Sequence, residues 1–403
     1  MKNDHKIVAL FVHDGPLYKD KDGVYCSTNI TEEMLSRYFC VADEIRVLIR
    51  TSQIDKTYRE ANLQKIDNQK IKVTELGNIV SIKGLLQKNK LKKRLEPIVD
   101  ECDLVFLRLP GITCNVVADI CKQQNKQYLV EVGGCAWDAY WHHGVLGKLV
   151  APYMEHAEKK TTQSASFATY VTQKWLQERY PCHCDSIEAS NVYLPEQDEK
   201  VLKERLRRIN NYKDCKNLTI GTIANVDVRY KGQEYIIKAI AKLNKKGYNL
   251  KYELVGGGDK TFLRNLAIKY NVEKNVLFKG ALLHHDVIEW LDSIDIYAQP
   301  SKQEGLPRSV IEAMSRGVPC IGSTTAGIPE LLDKESLFLN GNIKQIVRII
   351  ESMDKKRITI MARTNFEKAK KFNKKELGKI RNEYYHGYLS NIIDTSVRKR
   401  YDY

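Results

Sequence analysis

Short, wholly apolar runs recur along the first half of the chain, each followed by a segment with helical spacing. Ile7-Val-Ala-Leu-Phe-Val12 reads as a buried strand, and a glycine-containing loop is expected over 13–23. Residues 31–38 look helical, and Glu44-Ile-Arg-Val-Leu-Ile49 returns as a strand. Leu104-Val-Phe-Leu-Arg-Leu109 and Tyr128-Leu-Val-Glu-Val132 follow, with a helix over 115–124 between them. These runs lack polar alternation, so both faces of each strand must be covered. That is the mark of a parallel sheet with right-handed helical crossovers.

A charged, proline-containing stretch over 195–216 interrupts the pattern, which then starts again. Strands are expected at 218–223, 252–255, 276–278, 294–298 and 319–322, each followed by a helical segment. A chain of 403 residues exceeds one ordinary core. The fold class is therefore α/β, with two Rossmann-like domains, 1–195 and 196–384. Sheets of this kind bind ligands at the carboxyl ends of their strands, which makes a cleft between the halves the default active site.

Composition is globular, 43% hydrophobic and 29% charged, and no apolar run reaches the roughly 18 residues of a membrane-spanning helix. The first residues lead directly into a strand with no signal peptide, so a cytoplasmic protein is expected. The ten cysteines follow no repeating spacing. Cys182-His183-Cys184 lacks a second half to complete a zinc site, so free thiols are expected. A net charge of +15 attracts phosphate-rich partners without choosing among them, and it also serves plain solubility. No nucleic-acid-binding motif is present, so no nucleic acid is expected as partner. Residues Lys83 to Arg94 hold six basic side chains and no acid, with leucines at 85, 86, 91 and 95. Such a helix either lies on an anionic membrane surface or packs its leucines inward and solvates its lysines.

The segment 293–317 carries candidate chemistry. A strand ends near Gln299-Pro300, a loop follows, and a helix starts at Pro307, where a missing N–H costs nothing. Gly317 closes that helix. Glu304 lies on the loop and Glu312 on the helix. The free amides at the helix start favour hydroxyl or anionic oxygens, worth ~0.3–2 kcal/mol for a charge. Two carboxylates beside them suit a ligand rich in hydroxyls, although two glutamates at this spacing also fit a loop charge and a solvated helix charge.

The longer pattern is Pro300-Ser301-x-x-Glu304-Gly-Leu-Pro307, Glu312-Ala-Met, Gly317-x-Pro319 and Ala326-Gly-Ile-Pro-Glu330. It resembles the signature of retaining glycosyltransferases of family 4, the group 1 enzymes of bacterial polysaccharide synthesis, which have the GT-B fold. The resemblance is strong over 218–332 and loose in the first half. It implies that Glu304 contacts hydroxyls of a donor sugar and Glu312 the nucleotide ribose, while Gly305, Leu306, Pro307 and Arg308 line the sugar and phosphate pocket. It implies a nucleoside-diphosphate sugar as donor, a glycan or lipid-linked acceptor, and no cofactor or metal. It also implies a C-terminal helix, about 385–403, packed back on the first domain.

Family members carry an arginine and a lysine in the loop matching 224–232, both gripping the diphosphate. Lys231 matches the lysine. Asn225 stands where the arginine is usual, and Arg229 is the candidate replacement. A cation here stabilises charge developing on the leaving group; a basic surface turn is the plainer alternative. Gly256-Gly-Gly-Asp259 fails the dinucleotide fingerprint, whose third glycine would fall on Thr261, and reads as a tight turn. Phe278-Lys-Gly280-Ala281-Leu282 matches the loop near the base. In the first half, Asp14-Gly15-Pro16 resembles the family's glycine loop. The histidine many relatives carry after a strand is missing, and Glu131-Val-Gly-Gly134 stands there instead. Asp138 and His142 are acceptor-side candidates, against a loop charge and a packing histidine. Trp137, Tyr140 and Trp141 suit either sugar stacking or core packing. A GT-B nucleotide-sugar epimerase is the alternative reading.

Overall fold

The computed structural model describes residues 6–61, 63–77, 88–142 and 144–401. The chain divides into two compact units, Met1–Ala189 with Gly378–Tyr403 and Ser190–Leu377, so the crossings fall a few residues before the expected 195 and 384.

Unit 1 holds strands β1 (Val8–Lys19), β2 (Tyr25–Ser27), β3 (Glu44–Gln53), β4 (Gln64–Lys65), β5 (Ile71–Leu76), β6 (Leu104–Leu109), β7 (Leu129–Val132), β8 (Phe167–Tyr170) and β9 (Ser186–Glu188). Seven are parallel in the order β5-β3-β1-β6-β7-β8-β9, and β2 and β4 add an antiparallel ribbon to the end of β1. Unit 2 holds β10 (Thr219–Ile223), β11 (Lys251–Val255), β12 (Val276–Gly280), β13 (Ile296–Gln299), β14 (Cys320–Ser323) and β15 (Leu337–Phe338), all parallel in the order β12-β11-β10-β13-β14-β15. Each sheet winds outward from its first strand in both directions. The switch points lie between β1 and β6 and between β10 and β13.

Two sequence expectations need correction. The loop expected at 13–23 is mostly strand. β1 shifts register between His13 and Leu17, then Tyr18 and Lys19 pair with β3 on one side and β2 on the other. Buried Leu17 and partners on both edges carry the chain through a glycine and a proline that suggested a loop. The charged stretch 195–216 contains a helix, Glu199–Asn210. Leu202, Arg205 and Ile209 form its buried stripe, and the Arg205 guanidinium donates to the carbonyls of Ile294 at 2.6 Å and Leu291 at 2.8 Å. An arginine in the middle of the stripe hides it from an apolar count.

The helices of unit 1 include α1 (Glu32–Ser36), α2 (Lys88–Asp100), α3 (Ile112–Gln123), α4 (Ala136–Trp141) and α5 (Gly144–Gln163). Residues 83–87 of the basic segment lie outside the described residues. From Asn89 onward its leucines face inward. Leu91 and Leu95 are buried, whereas Lys90, Lys93 and Arg94 are exposed. α3 lies between α2 and α5, joined by Gln124 to the Glu96 carbonyl and by Thr161 to Asn115. No helix among the described residues is long and apolar enough to cross a membrane.

The C-terminal helix Lys374–Tyr401 enters unit 1 from Gly378. Tyr385 and Tyr388 are fully buried against Phe106, and Tyr38 stacks on Tyr385. Their polar anchor is Glu131 on β7, which pairs with Arg37 at 3.1 Å and accepts from the Tyr38 hydroxyl at 2.9 Å and from Tyr385. Burial pushes the Glu131 carboxyl up, but Arg37 and Arg108 outweigh it and the net shift is down. Glu158 on α5 is the opposite case. It is fully buried, neither carboxyl oxygen has a partner, and burial drives its pKa well up.

Opposite stability effects follow for the two buried acids. Glu131→Gln strands Arg37 and should cost about 3–5 kcal/mol. Its lowered folded pKa places the wild-type contribution above the unfolded value of about 4.3, to be lost as pH falls through the folded pKa. Glu158→Met removes an unpartnered buried group and should stabilise by about 1–3 kcal/mol. With a raised folded pKa, the wild-type acid weakens the fold progressively as pH rises above about 4.3. Urea unfolding of both variants across pH 4–8 checks both signs; a Glu158→Met curve parallel to wild type would refute the second.

Candidate active site

The unit 2 site is built from the two loops that leave the switch point. After β10 the chain runs through 224–228, forms a short 3-10 turn at Arg229–Lys231, and enters α6 (Gln233–Asn244) at Gly232. Gly232 has φ +74°, and a Cβ there would lie 2.1 Å from the Pro300 carbonyl oxygen. Only glycine permits the loop after β13 to come this close. The Lys302 amide then donates to the Tyr230 carbonyl at 2.7 Å, fastening the two loops.

This contact sets Lys231 beside Glu304. Their side chains pair at 2.7 Å, and both are largely shielded from solvent. Gln299, the last residue of β13, is buried and donates to the same Glu304 oxygen, Oε1, at 2.8 Å and to Ser301 Oγ at 2.9 Å. Its own oxygen accepts from the Tyr297 hydroxyl at 2.8 Å and from Ser309 Oγ at 3.3 Å. Tyr297, Gln299 and Ser309 escaped the sequence reading; the available signal was an amide side chain closing an apolar strand.

α7 (Arg308–Ser315) begins one residue later than expected, with Pro307 as its N-cap and no side chain capping its first turn. Gly305, Leu306, Pro307 and Arg308 therefore lead from Glu304 to open helix amides. The Gly305 carbonyl is held by the Gly327 amide at 2.9 Å, which brings the Ala326-Gly-Ile-Pro-Glu330 segment against this loop. Glu312 is half-buried one turn into the helix. Burial raises its pKa, and the charges of Arg308 and His284 pull against that rise.

Three other donor-side candidates sit further out. Arg229 donates to buried Glu234 at 2.7 Å and lies 3.4 Å over the Phe262 ring centroid, so the structure pairs it with these groups and not with Glu304. Asn225 is exposed, and its carbonyl accepts from Gln233 at 3.1 Å. Ala281 is exposed after the left-handed Gly280. The glycines at 256 and 258 adopt positive φ and leave room for Ala224 and Asp227, so this turn shapes the loop carrying Lys231.

In unit 1, Gly15 lies in the bulge of β1, where a Cβ would meet the His13 ring at 2.8 Å. Asp14 accepts from the Ile112 and Thr113 amides, at 3.0 Å for Thr113, and so caps α3. Burial pushes the Asp14 carboxyl up and lowers His13 to about 4, with Arg108 adding to the latter effect. Asp138 and His142 lie four residues apart, on α4 and at its C-cap. Burial raises the Asp138 pKa, and Arg179 and His142 oppose that shift. Trp137 and Trp141 stack on each other, ring centroids 4.8 Å apart. Glu131, in place of the family's histidine region, is a buried structural acid.

The family model for glycosyl transferases group 1 matches residues 204–375. Protein CapJ of Staphylococcus aureus is 34% identical over 346 residues, covering 85% of each chain. The amylovoran biosynthesis glycosyltransferase AmsK of Erwinia amylovora is 31% identical over 110 residues, 26% of this chain and 27% of that one. Among solved structures, Anabaena HepE in complex with UDP and glucose superposes with a TM-score of 0.62 at 17% identity, over 96% of this chain and 100% of HepE. The long CapJ match, the group 1 model and the two doubly wound units agree: this chain belongs to the group 1 glycosyl transferases and has the GT-B fold.

Proposed function

We propose that this glycosyltransferase moves a sugar from a nucleoside-diphosphate sugar to a hydroxyl of a glycan or lipid-linked acceptor, with retention, in cell-surface polysaccharide or glycolipid synthesis on the cytoplasmic side of the membrane. The observation that carries this reading is the Lys231–Glu304 pair beside the uncapped start of α7, with Glu312 one turn further on. UDP bound to HepE supports the donor class, and the amylovoran role in the name of AmsK supports the polysaccharide setting.

Glu304 holds hydroxyls of the donor sugar and Glu312 the ribose. Lys231 and the α7 amides hold the diphosphate, so no metal is required. The acceptor oxygen bonds to the anomeric carbon on the face that the diphosphate oxygen leaves, and the acceptor proton passes to that departing oxygen. Lys231 offsets the charge that builds there. Asp138 and His142 are the acceptor-side groups of this reading, and Arg229 reaches the diphosphate only by leaving Glu234.

Thermal-shift titration with UDP, GDP and ADP should show one preferred nucleotide, and Glu312→Ala should abolish its effect. Stabilisation that survives this change would remove Glu312 from the ribose. Lys231→Met should lower kcat by about 10²–10³-fold with the fold intact. Incubating the preferred sugar nucleotide without acceptor should yield at most slow hydrolysis; conversion to an epimer would overturn transfer in favour of epimerisation.

A further inference from the structure

Charged side chains of the donor-side loops in unit 2 fall into two sets. Lys231 pairs with Glu304. The second set is centred on Glu234, in the first turn of α6, whose side chain is 8% exposed. Its Oε2 accepts from Arg229 at 2.7 Å, and its Oε1 lies 3.8 Å from the Lys302 ammonium. Arg229 comes from the loop after β10 and Lys302 from the loop after β13, so one carboxylate holds a cation from each. A ring backs each cation: Arg229 lies over Phe262, and Lys302 lies 4.9 Å over the Tyr235 centroid.

The two sets meet through the backbone. Arg229 and Lys231 share one 3-10 turn, and the Lys302 amide donates at 2.7 Å to the carbonyl of Tyr230 in the middle of that turn. The members of the second set differ in exposure. Arg229 is 59% exposed while Glu234 is sealed, so an anion arriving from solvent meets the guanidinium first. A guanidinium is a planar fork of five N–H groups, and a diphosphate offers it more charge and more acceptor oxygens than one carboxylate does. An ion pair with one open member is weak enough to exchange. The obstacle to such an exchange is the buried acid left behind, because an uncompensated buried charge is costly.

We propose that Glu234 is a positioning residue that competes with the donor diphosphate for Arg229. It holds the arginine folded over Phe262 in the free enzyme, yields it to the diphosphate on binding, and takes it back as the nucleoside diphosphate leaves. Lys302 stays beside Glu234 throughout, so no step strands a buried carboxylate. The competition lowers affinity for donor and product alike, which speeds release of the product nucleotide. This inference rests on the diphosphate reading of the Lys231 loop.

The test is calorimetric titration of UDP, GDP or ADP, whichever wild type prefers, into wild type, Glu234→Gln, Arg229→Gln and the double variant, with Tm followed for each. Glu234→Gln should tighten the nucleotide by about 10-fold, and Arg229→Gln should weaken it by about 10-fold. The double variant should bind no tighter than Arg229→Gln, because the gain acts through the arginine. In turnover, Glu234→Gln should lower KM and kcat together, whereas loss of a merely structural contact would raise KM. Unchanged or weaker binding by Glu234→Gln at a retained Tm overturns the proposal, as does a gain that survives in the double variant. If Glu234→Gln loses Tm, the variant of exposed Arg229 decides, since binding equal to wild type overturns the proposal equally. A wild type that binds no nucleoside diphosphate would strike the donor reading itself; binding that ignores both residues strikes this inference alone.

Discussion

An ideal Cβ on Gly232 would sit 2.1 Å from the Pro300 carbonyl oxygen, so the loops after β10 and β13 can meet only because that atom is missing. The pairing of the two loops follows from this meeting. It brings Lys231 to Glu304 and lets Lys302 bond the Tyr230 carbonyl. It also leaves Gln299 to lock the carboxylate from behind. A left-handed residue between a 3-10 turn and a helix is a local constraint. Here it decides which two charged side chains share one space.

Unit 1 is organised by a different interaction. Glu131 is an acid buried among Arg37, Tyr38 and Tyr385, and it ties the central sheet to both the 3-10 turn after α1 and the C-terminal helix. A buried ion pair of this kind adds little net stability but is costly to break on one side. It therefore fixes which helices sit on the sheet more than how firmly they do. Glu158, with no partner at all, shows that the same residue type in the same unit is not always so used.

The sequence made the class of fold and the donor-side signature legible because both rest on local patterns. Apolar runs without alternation mark parallel strands, and the 300–330 signature spells out a strand, a loop and a helix start. What escaped depends on tertiary partners. The strand at 14–19 survives a glycine and a proline because β2 and β3 pair with it from both sides. The helix over 199–210 hides behind Arg205, whose charge is met by carbonyls more than eighty residues away in sequence. The contacts of Arg229 with Glu234 and Phe262 likewise depend on the fold, and nothing in the loop's own sequence signals them.

The C-terminal helix also sets an order of events during synthesis. Tyr385 and Tyr388 complete the core around Phe106, yet they are made after all of unit 2. Unit 2 is continuous in sequence and can close as soon as it clears the ribosome, whereas unit 1 is left with an open flank over Glu131 until Tyr385 and Tyr388 emerge. The half of the molecule translated first is thus finished last. A chain cut before this helix would carry a complete unit 2 attached to a unit 1 that lacks the aromatic cover of Phe106.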